Sequence, residues 1–275
     1  MNTGTAGIEQ LKEKLDDEAV SKAFEDAKSP LSYIKLPFGW LDEEKDELFN
    51  EVTLNEITGV EEDILTSRQT PLTQRVNLLL TNCIKSLHGD KSRIISDKRE
   101  IASVVRALPS ADRTFLVFSL RRFSLGDGFT FSVDCENCTR NLKKAVDLSQ
   151  LEVAAAPDPR KKTFTLTLPS GKTATWKVAT GTEEEKLAKL VLSRQDKDFM
   201  TQTILMRLLD LGGKPPQYLE VRSLNIRDRN ALRQDFEDKE GGIETSVQVS
   251  CENCGNLFDT SIGIGQEGFF FPPRR

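Results

Sequence analysis

The sequence predicts an α+β fold, helical segments combined with β-hairpins. Three observations point to it. Apolar residues recur at helical spacing over residues 72–87, 98–108, 113–123 and 227–240. Apolar and polar residues alternate over 129–134, over 164–168 with 174–178, and over 247–249, the period of half-buried strands. The same tetrapeptide, Cys-Glu-Asn-Cys, ends an alternating run twice, at 135–138 and at 251–254, and uses four of the five cysteines.

Taken in order, residues 8–28 read as a charged amphipathic helix with a broken stripe of Ile8, Leu11, Leu15, Val20 and Phe24. Residues 31–38 are extended and end at Gly39. The acidic stretch 42–51 reads as exposed, and Glu51-Val52-Thr53-Leu54 reads as a short strand entering a helix over 55–65. In the helix at 72–87, Val76, Leu79, Leu80, Cys83, Ile84 and Leu87 share one face, which makes Cys83 a buried, inert thiol. Ser96-Asp97 can cap the helix at 98–108, and Pro109 to Asp112 break it and start another at 113–123. After the first Cys-Glu-Asn-Cys, 141–148 is the return strand and 149–161 an irregular linker. Pro169-Ser170-Gly171-Lys172 turns the next hairpin. Helices follow from Thr182, to Leu211 and over 227–240. The second Cys-Glu-Asn-Cys is left by 256–262.

Composition excludes several roles. The chain has 275 residues, 37% hydrophobic and 29% charged, enough to bury a core. No apolar run approaches the roughly 20 residues needed to cross a bilayer. The N-terminus lacks the apolar core of a secretory signal. A net charge of −5 argues against general nucleic-acid binding. The short basic runs Arg121-Arg122 and Arg160-Lys161-Lys162 read as solvated positions or local ion pairs. The single histidine, His88, stands in a turn-like sequence that reads as a surface loop, so a histidine-dependent nucleophilic mechanism has no support. No glycine-rich phosphate loop, paired-carboxylate motif or zinc-protease helix motif is present, and the chain reads as non-enzymatic.

Cys135, Cys138, Cys251 and Cys254 carry the chemistry. Two CxxC turns, each on a strand–turn–strand unit, supply what a four-thiolate zinc site requires. An iron–sulfur centre with the same ligands, or two disulfides, are the alternatives. Four thiolates leave no open coordination position, so one zinc ion per chain would be structural and would act by joining two distant hairpins into a zinc-ribbon-like unit. Zinc ribbons also occur in nucleic-acid machinery, and a zinc-ribbon nucleic-acid-binding regulator is the alternative function. The chain ends in Phe269-Phe270-Phe271-Pro272-Pro273-Arg274-Arg275; the three rings either fold back on the same chain or insert into a partner.

One stretch is distinctive as a whole. Asp112-Arg113-Thr114-Phe115-Leu116, then Leu120-Arg121-Arg122-Phe123-Ser124-Leu125-Gly126-Asp127, runs straight into a strand, the first Cys-Glu-Asn-Cys and Val146-Asp147-Leu148. With the second CxxC hairpin and the phenylalanine tail, this order resembles the baseplate hub assembly proteins of contractile-tailed phages of the T-even type. Residues 51–65 resemble the opening of phage tail assembly proteins. The resemblance covers roughly residues 30–275. It implies a structural or chaperone-like assembly role at a tail baseplate, in the virion tail or the host cytoplasm during assembly. Its partners would be other baseplate and tail proteins, with Phe269, Phe270 and Phe271 as candidate contacts.

The expected division is an N-terminal helical arm (1–30), a mainly helical part (31–126), a split zinc-ribbon unit (127–150 with 243–275) and an inserted hairpin with helices (151–242).

Overall fold

The computed structural model describes residues 32–194, 198–266 and 268–271. The expected helix at 8–28, and with it the N-terminal arm, lies outside these residues. The fold is α+β, as the sequence predicts.

A four-stranded antiparallel sheet opens the chain, in the order β1 (Tyr33–Asp42), β2 (Glu47–Leu54), β3 (Ile84–Gly89), β4 (Ile94–Ile95). Strand β1 runs past Gly39 through a bulge between Lys35 and Trp40. Gly39 has φ +93, and an added Cβ would lie 2.8 Å from the Phe49 carbonyl oxygen, so the bulge requires glycine. The acidic stretch 42–51 is the β1–β2 hairpin. Residues 43–46 are exposed as expected, but Glu47 is buried and accepts the Arg93 backbone N–H at 3.0 Å.

Four helices pack with this sheet: α1 (Gly59–Thr66), α2 (Leu72–Cys83), α3 (Lys98–Ala107) and α4 (Ser110–Leu125). A Thr58–Glu61 capping box starts α1, and Asp97 caps α3 by accepting from the N–H groups of Arg99 and Glu100. The helix expected over 72–87 stops at Cys83. Ile84 to Gly89 pair with β2 instead, which also moves His88 from a loop to a strand. Ile84 and Leu87 are fully buried there. A three-residue spacing is compatible with a helix stripe, and the open edge of β2 decided between the two. Lys98 Nζ donates to the carbonyls of Thr81, Asn82 and Ile84, which satisfies the C-terminal end of α2.

Next comes the hairpin β5 (Gly128–Asp134) and β6 (Asn141–Asp147). The linker at 149–161 is less irregular than expected. A 3-10 turn spans Leu148–Gln150, and β7 (Val153–Ala154) pairs with β11 (Gly242–Ile243). A second sheet has the order β10 (Leu208–Leu211), β9 (Thr173–Lys177), β8 (Thr163–Thr167). Helices α5 (Gly181–Arg194), α6 (Phe199–Leu205), α7 (Tyr218–Arg222) and α8 (Ile226–Glu240) accompany it. The helix expected to reach Leu211 ends at Leu205. Leu208 and Leu211 are buried in β10 and Leu209 is exposed, again a spacing that two structures can share. The hairpin β12 (Ser246–Ser250) and β13 (Leu257–Ser261) closes the chain.

Buried apolar residues form two clusters. The larger draws on β1–β3, α2–α4, both cysteine hairpins and Phe269 with Phe270. The smaller gathers Phe38 with residues from Ala156 to Phe236 around Trp176. Two adjacent buried charges join the elements. Asp112, fully buried, accepts the backbone N–H groups of Phe38 (2.9 Å) and Gly39 (2.6 Å). Arg113 donates to Asn77 on α2 (2.6 Å), the Val105 carbonyl on α3 (2.6 Å) and Glu184 on α5 (3.0 Å).

Candidate metal centre

The two cysteine hairpins have the same turn. Cys135 N–H donates to the Arg140 carbonyl at 2.9 Å, and Thr139 N–H to the Cys135 carbonyl at 2.8 Å. In the second knuckle, Cys251 N–H donates to the Asn256 carbonyl at 2.9 Å, and Gly255 N–H to the Cys251 carbonyl at 2.8 Å. The residue after the second cysteine takes the left-handed conformation in both, Thr139 with φ 56 and Gly255 with φ 71. Alternation sets the strands' facing. Phe129 and Phe131 on β5, and Val249 and Phe258 on β12 and β13, point into the larger cluster. Cys135 and Cys251 follow them inward and are buried, while Cys138 is half-buried and Cys254 exposed.

The fold brings these four sulfurs within 4.8 Å of one another. Cys135 and Cys254 lie 3.7 Å apart, as do Cys138 and Cys251. A zinc ion about 2.3 Å from each of four sulfurs would set them about 3.8 Å apart, so the donor set and its spacing fit a single tetrahedral ion. A disulfide needs about 2.05 Å, and all four cysteines are free. Polynuclear clusters need their own irons and sulfides between the thiolates, for which 3.7 Å leaves no room. Electrostatics point the same way. The Arg140 backbone N–H, followed by the Asn253 side chain, pulls the Cys138 thiol down to about 6. At Cys254 the Asn256 N–H and the Asn137 side chain pull downward, yet the net shift is up to about 11, with burial and the sulfurs of Cys138 and Cys251 opposing. Four thiolates this close repel one another unless a cation lies between them.

Cys83, the fifth cysteine, stays apart. It is 1% exposed between α2 and the sheet, and burial, with Glu61 adding to it, pushes its thiol up to about 12. His88 Nε2 bonds Thr53 (3.1 Å) and Ser86 (2.9 Å) on the sheet.

The phenylalanine tail divides. Phe269 and Phe270 fold back and are buried, Phe269 against Phe118 and Phe129 at ring-centroid distances of 5.0 and 5.4 Å. Neither is free to insert into a partner, which corrects two of the three expected contacts. Phe271 remains 39% exposed, lining a surface groove with Leu125 and Ile57. What anchors this fold-back is not legible in residue identity. Arg121, expected in solvent or a local ion pair, is buried and donates to the carbonyls of Phe269 (2.5 Å), Gly126 (2.6 Å) and Gly128 (2.8 Å). Arg122 beside it does pair locally, with Asp127 at 2.6 Å. Arg160 pairs with Asp46 and Asp90, and Lys162 with Glu43.

No helix among the described residues is long and apolar enough to cross a membrane. A family model described as T4 bacteriophage base plate protein matches residues 40–194, from the end of β1 through the first cysteine knuckle to the end of α5. No curated protein and no solved structure matches the chain.

Proposed function

The chain belongs to the T4 bacteriophage base plate protein family, with the structural role in the virion tail that membership carries, and from this premise we propose that it is a zinc-clipped, non-enzymatic baseplate hub or assembly protein. Zinc would be held by Cys135, Cys138, Cys251 and Cys254. The observation that carries this is the four-sulfur cluster with 3.7 Å approaches, drawn from two hairpins far apart in the sequence. Bound there, zinc would supply folding energy, because one ion shared by all four thiolates ties together two hairpins far apart in the sequence. The protein's own residues shape the site. The hairpin turns aim the sulfurs, and Phe129, Phe131, Val249 and Phe258 press the two hairpins onto the larger apolar cluster.

Base plate proteins work through contacts with other tail proteins. On this chain the exposed hairpin at 43–46, Phe271 beside Leu125, and the N-terminal residues are the proposed contact regions. The split zinc-ribbon unit and the 151–242 insertion are proposed to act as two packed parts, one per apolar cluster.

Two measurements test the proposal. Elemental analysis of the purified chain is expected to find about one zinc per molecule; a metal-free, well-folded protein would remove the clip. Mass spectrometry of purified tails, with pull-downs from phage-infected cells, is expected to find the chain in the particle or bound to a baseplate subunit. Presence in the finished tail marks a resident part, and binding without it marks an assembly factor. Absence from both overturns the role.

A further inference from the structure

The two cysteine turns touch through an asparagine side chain. Asn253 Nδ2 lies 3.6 Å from Cys138 Sγ, reaching from the second knuckle to the first. The direction at Asn253 is fixed by chemistry. Its Oδ1 receives the Arg140 guanidinium at 3.0 Å. A guanidinium only donates, so the amide oxygen must face Arg140 and the amide N–H must face the sulfur. Arg140 stands two residues beyond Cys138, and the matching position of the other knuckle is Asn256, so this orienting cation is built on one side only. A second cross-tie, Lys144 to Glu252 at 2.7 Å, holds the same pair of turns.

Four thiolates around a divalent ion carry a net charge of −2. N–H donors aimed at the sulfurs withdraw part of that charge, and donors that come from the opposite knuckle do so only while the knuckles stay docked. We propose that Asn253 is a positioning residue of the metal centre, holding bound zinc by an amide-to-thiolate hydrogen bond from one knuckle to the other, with Arg140 setting its orientation. This rests on the metal reading above.

The test uses the full chain loaded with zinc, and separately with cobalt(II) as a spectroscopic stand-in. Asn253→Asp keeps the shape but replaces the donor with a negative charge. It is expected to lower zinc affinity, measured by competition with a chromogenic chelator, about 10- to 100-fold. It is also expected to shift the thiolate-to-cobalt charge-transfer band, while circular dichroism in saturating zinc stays that of the wild type. Glu136→Gln, on the exposed side of the first turn, should leave both readouts within twofold. Arg140→Met should weaken zinc binding in the wild-type chain and add nothing in the Asn253→Ala chain, a dependence that a general loss of stability would not produce. Should the aspartate variant fail to fold, Asn253→Ala carries the same test. Wild-type chain that binds neither zinc nor cobalt overturns the metal reading and this inference together. Zinc-loaded wild type with an unaltered Asn253 variant overturns this inference alone.

Discussion

Asp112 and Arg121 are charges buried without a charged partner at the bonds that hold them, and both join distant parts of the chain through backbone groups. Burial pushes the Asp112 carboxyl up to about 7, against the pull of the Phe38 and Gly39 N–H groups. A carboxyl with a raised folded-state value binds its proton more readily folded than unfolded. The stability it contributes is therefore present in full near pH 4 and falls as the pH climbs to about 7. Asp112→Asn removes that titration. Between pH 5 and 8, denaturation in saturating zinc is expected to show the wild type losing stability relative to the variant, by at most about 1.4 kcal/mol per pH unit. Parallel pH profiles for the two proteins would contradict it. At Arg121 the expected effect is independent of pH. Arg121→Leu leaves the buried Phe269 carbonyl unpaired, at a cost of about 1–3 kcal/mol, whereas the carbonyls of the exposed Gly126 and Gly128 can turn to water; chemical denaturation should show a loss of that size. Arg121→Lys, with fewer donors, should recover only part. Neither role was legible in the sequence. Asp112 read as a helix breaker and Arg121 as a solvated charge, because their partners are main-chain atoms that leave no mark on residue identity.

At the scale of elements, the repeated knuckle contains a built-in comparison. Thr139 and Gly255 occupy the same left-handed position after the second cysteine. A β-branched residue is costly there, on the order of 1–2 kcal/mol, whereas glycine is not. An added Cβ at Gly255 would meet nothing within 4 Å, so a substitution there reports backbone strain alone. Gly255→Ala is expected to destabilise by about 1 kcal/mol in thermal or chemical unfolding. Thr139→Gly should stabilise or be neutral, since it relieves strain but gives up the Thr139 hydroxyl's bond to the Cys138 carbonyl (2.8 Å). Stabilisation on Gly255→Ala would show that the turn is not held as described. The knuckles were the most readable elements, because strand alternation and cysteine spacing reinforce each other. Residues 84–87 and 208–211 were read as helix ends for the opposite reason. Apolar residues three apart satisfy a helix face and a short buried strand alike, and only the unpaired edges of β2 and β9 select the strand.

The whole molecule is two apolar clusters with different dependence on the cysteines. The larger one is closed at its far side by Cys135, Cys251 and Phe258, contributed by hairpins whose mutual contact the metal would maintain, and by Phe269 of the tail that follows them. The smaller cluster, around Trp176, has its own hairpin, helix α8 and a hydrogen bond from Trp176 Nε1 to Asp235 at 2.7 Å. It borrows only Phe38 from the N-terminal sheet. Removing the metal should therefore open the molecule unevenly. Without a cation the thiolates take up protons or repel, β12 and β13 keep only side-chain ties such as Lys144–Glu252 and Arg140–Asn253 to the other knuckle, and the packing of Phe269 on the Phe129 ring is weakened. Hydrogen exchange after chelation is expected to rise first over 128–147 and 246–271 and to stay slow over 163–177 and 226–240. Cys251→Ser should give the same pattern without a chelator, and added zinc should not reverse it, because three thiolates leave one coordination position unfilled. Equal loss of protection in both clusters would mean instead that Asp112 and Arg113, which tie β1 and α2–α5 together at the junction, bind the two parts into one cooperative unit.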